Sequence, residues 1–175
     1  IIIAIENGSE DRIKEYVLDY NSITENAEGK KYVRFLADTL KPYVDSVYRT
    51  KPEREFTGIG GSSLGGLISI YSGFLYPEVY SKLLIFSPSL WLNPENNFPQ
   101  MNFKNPYDIK VYLYGGEQEG SEMTERIQLF EKTMEGWEDA TSMQFEFKTS
   151  INHEGKHQEF YWSQEFPRAI EWLYY

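Results

Sequence analysis

The sequence predicts an α/β fold built on a mainly parallel sheet. Short apolar runs alternate about five times with segments whose apolar residues recur at three- and four-residue spacing, as strands alternating with helices do. Of the 175 residues, 41% are hydrophobic and 17% aromatic, which is enough apolar material for one core. Because no internal repeat or linker interrupts this pattern, residues 1–175 are expected to form a single domain.

Each element has its own signal. The run at 1–5 has no polar alternation, which is typical of a strand covered on both faces. A proline at position 42 is expected to bend the second helix or to split off its last turns. The Asn- and Pro-rich loop at 91–108 is long enough to serve as a lid. The predicted strands are 1–5, 55–59, 82–86, 109–114 and 143–149. The predicted helices are a short turn at 12–16 and the segments 29–48, 67–76, 122–135 and 163–175.

The composition excludes several classes of protein. The formal net charge is −10, so the average surface repels a phosphate backbone and nucleic-acid binding is not expected. There is no cysteine, which excludes disulfides, thiolate metal sites and a cysteine nucleophile and leaves the compartment open. No run approaches the roughly 18 to 20 apolar residues of a membrane span, and no signal peptide is visible. A soluble, acidic domain is therefore expected.

One motif points to chemistry. Gly61-Ser62-Ser63-Leu64-Gly65 matches G-x-S-x-G, in which a strand turns sharply into a helix and holds the central serine exposed. A β-type run at 56–59 and an apolar helix at 67–75 flank it, as the motif requires. A Cβ at either flanking glycine is expected to collide across the turn. The alternative is a glycine-rich phosphate loop, which is disfavoured because the lysine of a P-loop is missing.

A serine nucleophile needs a base and an acid that orients the base. The chain has two histidines, His153 and His157, and both follow the last predicted strand. A metal pair on a helix is disfavoured because Glu154-Gly155 interrupts the helix between them, so one histidine is expected to be the base. The acid is expected after the strand at 109–114, where spacing does not distinguish Glu117 from Glu119.

Seven segments of the chain resemble the esterase family of the α/β-hydrolase superfamily. This family includes feruloyl and acetyl-xylan esterases, S-formylglutathione hydrolases, enterochelin-type siderophore esterases and, more distantly, mycolyltransferases. The resemblance implies a three-layer α/β-hydrolase fold with a mostly parallel sheet, a serine esterase activity and no cofactor or metal. The matching segments are 5–8, 60–66, 76–80, 87–91, 112–120, 155–162 and 166–173.

The resemblance assigns roles residue by residue. It makes Ser63 the nucleophile and His157 the base, because the family histidine follows Gly-x and precedes an x-Glu-x-x-Trp pattern. It favours Glu119 over Glu117, because the family acid stands just before the small residue that opens the next helical region. Many members have aspartate at that position, and a longer glutamate can orient the histidine equally well.

The remaining site residues also follow from the resemblance. The backbone N–H of Leu64 would donate to the oxyanion, Trp91 would line the substrate pocket, and Trp162 would bind substrate close to the catalytic histidine. His153 becomes a residue of the rim. The implied substrate is a small-molecule or carbohydrate-linked ester, of the feruloyl or siderophore type.

The strand-to-helix turn at Gly61–Gly65, called the nucleophile elbow in this fold, comes early in the chain. In α/β-hydrolases the nucleophile follows the fifth strand, whereas one strand is predicted here before the elbow strand. The earlier strands, and the loop that supplies a second oxyanion donor, are therefore expected to lie outside this sequence, which would be the C-terminal part of a longer protein. An edge strand left exposed in this way could pair with a second copy. The alternatives are a non-catalytic binding module on the same scaffold and an acyltransferase.

Overall fold

A parallel sheet forms the centre of the molecule. The computed structural model describes residues 1–18, 26–93, 98, 107–138 and 143–175. Within them, every pair of neighbouring strands is parallel and the spatial order follows the chain order. The strands are β1 (Gly58–Ser62), β2 (Lys82–Phe86), β3 (Tyr107–Gly116) and β4 (Met143–Asn152).

Helices cover both faces of this sheet. They are α1 (Arg12–Tyr16), α2 (Gly29–Phe35), α3 (Lys41–Val47), α4 (Leu64–Leu75), α5 (Met123–Glu138) and α6 (Glu159–Tyr174). Helices α4 and α5 share one core with the sheet, and α6 packs on the opposite face. When successive parallel strands are added in one direction and each crossover is right-handed, the crossover helices lie on the same face of the sheet. Helices α4 and α5 are two such crossover helices. The predicted three-layer α/β architecture is confirmed.

Strand β2 shows why its sequence is apolar at every position. Leu83 and Ile85 point into the core under α4 and α5, while Leu84 and Phe86 point into the core under α6. A strand covered on both faces has no position at which a polar side chain reaches water. Both ends of this strand are where the sequence predicts them.

Pro42 interrupts the second helix, as predicted. Between α2 and α3 the chain makes a π-helical turn, Leu36–Leu40, in which the backbone N–H of Lys41 donates to the carbonyl of Leu36. Proline has no N–H and its ring displaces the carbonyl four residues earlier, so the wider turn accommodates it. The predicted helix at 29–48 is therefore three consecutive segments that end at Val47.

The predicted strand at 1–5 is wrong. These residues form no strand, and the side chains are exposed, Ile1 by 77% and Ile2 by 70%. A strand needs a neighbour to accept and donate its backbone hydrogen bonds. Among the described residues, β1 pairs with β2 alone and 1–5 pairs with none of the four strands.

Most of the other predicted boundaries differ from the structure by a few residues, and two of these differences concern connecting segments. The strand predicted at 55–59 begins at Gly58, because Arg54–Phe56 forms a 3-10 turn in which the Arg54 guanidinium donates to the carbonyls of Pro77 and Asp108. The predicted lid loop at 91–108 begins with a 3-10 turn, Leu90–Leu92, and its end belongs to β3. Residues 94–97 and 99–106 of that loop lie outside the described residues. Among the described residues, none of the helices combines the length and the apolar character of a membrane span.

Candidate active site

Loops at the carboxyl ends of the four strands converge on one edge of the sheet. Ser63 follows β1, Ser87 follows β2, Glu119 lies just after β3, and His157 lies between β4 and α6. In parallel sheets this edge is where ligands bind. The topology therefore brings Ser63 and His157, which are 94 positions apart in the chain, to the same edge of the sheet.

Ser63 occupies a strained turn between β1 and α4. Its backbone has φ 58° and ψ −124°. Residues other than glycine rarely adopt a positive φ. The turn is held by hydrogen bonds from Ser63 N–H to the Phe86 carbonyl at 3.0 Å and from Leu67 N–H to the Ser63 carbonyl at 3.1 Å. This strand, turn and helix arrangement is the one that the G-x-S-x-G motif requires.

The two glycines of the motif are not equivalent. A Cβ built on Gly61 would lie 2.7 Å from the backbone carbonyl of Gly65, closer than real Cβ contacts. A Cβ on Gly65 would meet only the Tyr16 ring at 3.9 Å, which is ordinary contact. The expectation of a collision at either flank is therefore correct for Gly61 and wrong for Gly65, because no atom of the turn lies within 4 Å of a Cβ at Gly65.

Leu64 begins helix α4 directly after Ser63. The first backbone N–H groups of a helix have no acceptor within the helix, and the helix dipole favours negative charge at that end. The backbone N–H of Leu64 is therefore in a position suited to an oxyanion, the role predicted for it.

Glu119 and His157 are in direct contact. Nδ1 of His157 lies 2.6 Å from Oε2 of Glu119, and no part of the Glu119 side chain is exposed. The other carboxylate oxygen, Oε1, accepts hydrogen bonds from the backbone N–H of Gly116 and the hydroxyl of Ser87, both at 2.7 Å. Three donors therefore fix the buried carboxylate with one oxygen directed at the imidazole.

Glu117 faces the other histidine. Oε2 of Glu117 lies 2.9 Å from Nδ1 of His153, and both side chains are exposed, by 43% and 85%. The hydrogen bond that His153 donates to this carboxylate, followed by the negative charge of the carboxylate, raises the pKa of His153 above its ordinary value. The spacing in the sequence does not distinguish the two glutamates, but in the structure they contact different histidines. Glu119 contacts His157 with a buried carboxylate, and Glu117 contacts His153 with an exposed one.

A backbone contact holds the acid loop against the histidine loop. The backbone N–H of Gln118 donates to the Gly155 carbonyl at 3.0 Å, and its side-chain Nε2 donates to the His153 carbonyl at 3.1 Å. Gly116 and Gly155 lie so close that a Cβ on Gly116 would overlap the Gly155 carbonyl. The separation of Glu119 and His157 is therefore set by main-chain packing as well as by their own hydrogen bond.

The hydroxyl of Ser63 does not reach His157. Ser63 Oγ lies 3.3 Å from Ser89 Oγ, and among the described residues there is no hydrogen bond between Ser63 and His157. Catalytic hydrogen bonds are often long without substrate and tighten in the substrate complex. The structure therefore brings the acid and the base together and places the serine at the same edge of the sheet.

The two predicted substrate-binding tryptophans have different environments. Trp91 lies in the turn after Ser89 and is 53% exposed. Trp162 lies in α6, with its ring edge-on to that of His157 at a centroid distance of 5.0 Å, and its Nε1–H donates to Ser87 Oγ at 2.8 Å. Substrate contact remains a prediction for both tryptophans.

Ser87 is the site residue that sequence reasoning did not identify. It is completely buried, has a positive φ of 44°, and contacts both Glu119 and Trp162. A serine directly after a buried strand, within Ser87-Pro88-Ser89, is the signal that could have found it. In the described part of the chain, no three acidic or histidine side chains lie close enough together to hold a metal ion.

Comparison with known proteins identifies the family. The sequence model of the family described as "Putative esterase" matches residues 1–173. The uncharacterized protein YbbA of Bacillus subtilis (strain 168) is 26% identical over 185 residues, which cover 99% of this chain and 73% of that protein.

Solved structures of low sequence identity share the fold. The BES protein of Bacillus cereus has a TM-score of 0.68 at 18% identity, covering 96% of this chain and 65% of that one. The enterobactin esterase of Shigella flexneri, solved with enterobactin, has a TM-score of 0.68 at 16% identity, covering 94% and 40%. A ferulic acid esterase has a TM-score of 0.57 at 16% identity, covering 81% and 60%. The chain thus spans less than two thirds of each of these three structures. Because the family model matches residues 1–173, the chain belongs to the esterase family of the α/β-hydrolase fold.

Proposed function

We propose that the protein hydrolyses carboxylic esters through an acyl-enzyme on Ser63, with His157 as the base and Glu119 as the acid that orients it. The observation that carries this proposal is the 2.6 Å contact between His157 and the fully buried Glu119 carboxylate, at the edge of the sheet where the strained Ser63 lies. A nucleophile, an orienting acid and a base, in that order along the chain, are what acyl transfer in an α/β-hydrolase requires.

Acylation uses the groups in sequence. Oγ of Ser63 attacks the ester carbonyl carbon while Nε2 of His157 takes the hydroxyl proton, and Glu119 stabilises the imidazolium and fixes the tautomer that carries its proton on Nδ1. The negative oxygen of the tetrahedral intermediate accepts a hydrogen bond from the backbone N–H of Leu64. The intermediate then breaks its bond to the alcohol oxygen, which takes the proton from His157 and leaves.

Deacylation repeats these steps with water. His157 removes a proton from the water molecule as its oxygen attacks the acyl-serine, and the second tetrahedral intermediate expels Ser63 Oγ, which recovers a proton from the imidazolium. The products are a carboxylic acid and an alcohol, and the enzyme returns to its starting state. The reaction needs no cofactor.

The proposed substrates are carbohydrate-linked aromatic acyl esters, such as feruloyl esters, or siderophore-type esters. Support comes from the half-exposed Trp91, two residues after the Ser89 that contacts the nucleophile, because an indole ring can stack on an aromatic acyl group. The net charge of −10 disfavours polyanionic substrates at long range. Trp91→Ala is expected to lower kcat/KM for methyl ferulate more than for an aliphatic methyl ester.

Fluorophosphonate labelling with mass-spectrometric mapping tests the mechanism. We expect the label on Ser63, and we expect Ser63→Ala and His157→Ala to abolish it. His153→Ala is the matched control and is expected to label normally, because His153 contacts the exposed Glu117 instead. Labelling at another residue, or equal loss in both histidine variants, would contradict the proposal.

Two alternatives make different predictions. The contact of Ser63 Oγ with Ser89 in place of His157 is what a non-catalytic binding module would show, and such a module would bind esters equally well after Ser63→Ala, with no turnover. An acyltransferase would share the acyl-enzyme. It would form a new ester when a sugar or lipid alcohol is added, which product analysis detects.

A further inference from the structure

We propose that Ser87 is a positioning residue for the catalytic acid: its hydroxyl selects which oxygen of Glu119 faces His157 and holds it there. This inference rests on the proposed function, since it concerns the same acid and base. Ser87 is none of the three proposed catalytic residues. Within the described ranges its hydroxyl contacts Glu119 and Trp162, and both of these residues contact the base.

The direction of the hydrogen bonds at Ser87 follows from the chemistry of its partners. An indole N–H can only donate, so Trp162 Nε1–H donates to Ser87 Oγ at 2.8 Å. The single hydroxyl proton of Ser87 is then free to donate to Glu119 Oε1 at 2.7 Å, where an ionised carboxylate accepts. The indole thus orients the hydroxyl, and the hydroxyl orients the carboxylate.

This arrangement determines which carboxylate oxygen of Glu119 faces His157. Oε1 receives the Ser87 hydroxyl and the Gly116 backbone N–H, which leaves Oε2 for Nδ1 of His157. Without the hydroxyl, Oε1 would keep a single donor, and the carboxylate could rotate about that contact. A buried carboxylate that loses a charge-assisted hydrogen bond also loses stabilisation of its ionised form.

The backbone at Ser87 supports a specific role. Its φ of 44° lies in the left-handed region, although the residue is not glycine and is completely buried. The Ser87 N–H donates to the Tyr114 carbonyl at 2.7 Å, which fixes this conformation at the end of β2. Strained positions of this kind cluster at functional sites, and here the strain directs a hydroxyl at the acid.

The same short loop also reaches the nucleophile. Two residues after Ser87, the backbone N–H of Ser89 donates to the Ser63 carbonyl at 3.1 Å, and its hydroxyl lies 3.3 Å from Ser63 Oγ. Pro88 separates the two serines and restricts the backbone between them. The Ser87-Pro88-Ser89 segment therefore contacts the acid at one end and the nucleophile at the other.

Removing the hydroxyl without adding strain is the first test. Ser87→Gly is expected to fold, because glycine adopts positive φ readily, and to reduce the fluorophosphonate labelling rate roughly 10- to 100-fold, the loss expected for one hydrogen bond to a charged group. Ser87→Ala removes the same hydroxyl in a backbone that alanine tolerates less well. Ser87→Ala is expected to label as slowly as Ser87→Gly and to unfold at a lower temperature than Ser87→Gly does.

A double-mutant cycle separates positioning from a merely structural role. If Ser87 acts through the carboxylate, Ser87→Gly slows labelling in the wild-type background and changes it by less than about threefold in a Glu119→Gln background. A general disturbance of the site would slow both backgrounds by the same factor. The proposal is overturned if Ser87→Gly labels at the wild-type rate, or if Ser87→Gly lowers the labelling rate by the same factor in both backgrounds.

Crystal structures of the wild-type protein and Ser87→Gly give a readout that needs no activity. We expect Glu119 Oε2 to leave hydrogen-bond distance of His157 Nδ1, or to occupy more than one orientation, in the variant alone. An unchanged contact overturns the role of Ser87 even if the enzyme is an active esterase. If the wild-type protein neither labels nor hydrolyses esters, the proposed function fails, and this comparison still decides the role of Ser87 toward Glu119.

Discussion

Gly116 and Gly155 are in backbone contact, and this contact joins the loop that carries the acid to the loop that carries the base. A Cβ on Gly116 would overlap the Gly155 carbonyl, and the Gly155 carbonyl also accepts the backbone N–H of Gln118 at 3.0 Å. Glu119 lies three residues after the first glycine and His157 two residues after the second. The geometry of the candidate acid and base therefore depends on two residues that have no side chain.

Gly116→Ala is expected to separate these loops. The added methyl group must displace backbone, which costs about 1–3 kcal/mol of folding stability, and a shift of about 1 Å at Glu119 lowers ester hydrolysis roughly 100-fold. Thermal unfolding measures the loss of stability, and the rate of ester hydrolysis measures the second effect. Gly136→Ala in α5 is the control, since nothing lies within 4 Å of its added Cβ, and it is expected to raise stability by about 0.5–1 kcal/mol. Equal behaviour of the two variants would contradict the prediction.

Gly61→Ala and Gly65→Ala are expected to differ, although both alter the same motif. At Gly61 the methyl group would meet the Gly65 carbonyl at 2.7 Å and distort the turn at Ser63, at a cost of about 1–3 kcal/mol. At Gly65 it meets only the Tyr16 ring at 3.9 Å, and alanine within α4 is neutral or stabilising by up to about 1 kcal/mol. Denaturant unfolding of both variants checks this. A Gly65→Ala variant as unstable as Gly61→Ala would show that the turn is tighter than the structure indicates.

Glu119→Gln and Glu117→Gln provide the matched test of the acid. The amide at 119 can no longer stabilise the imidazolium or enforce its tautomer, so kcat is expected to fall roughly 10³- to 10⁴-fold. The same change at 117 affects a carboxylate that is 43% exposed and contacts His153, and kcat is expected to change less than about threefold. Steady-state kinetics on a p-nitrophenyl ester distinguish the two. A larger loss at 117 would assign the acid to Glu117.

The exposed pair of His153 and Glu117 predicts a small pH dependence. Because the carboxylate raises the pKa of His153, the stabilisation from this pair is fully present below the ordinary histidine pKa of about 6.5 and is lost as pH rises through the raised value. Titration of the His153 ring proton by NMR is expected to show the raised pKa in the wild-type protein and a return toward about 6.5 in Glu117→Gln. Glu154→Gln, next to His153 in the chain, is the control and should leave the titration unchanged. A titration that does not respond to Glu117→Gln would refute the contact.

Local signals in the sequence account for much of the fold. The run at 82–86, the short helix at 12–16 and the elbow around Ser63 each depend on residues close in the chain: an apolar strand, a helical turn, and glycines at a strand-to-helix junction. The boundary at Gly58 does not follow from local signals, because it depends on Arg54, whose guanidinium donates to carbonyls 23 and 54 residues away. The run at 1–5 is apolar enough for a buried strand, but among the described residues it has no strand as a neighbour.

By itself, the sequence determined the fold class, the strained Ser63 turn and the small set of residues from which a triad can be drawn. The tertiary structure alone decided that Glu119 contacts His157, that Glu117 contacts His153, and that Ser87 lies between the acid and Trp162. The reason is physical. The carboxylates of two glutamates in one 3-10 turn point in different directions. Their partners come from the loop between β4 and α6, whose position is set by the pairing of β4 with β3 and by the packing of α6 on the sheet.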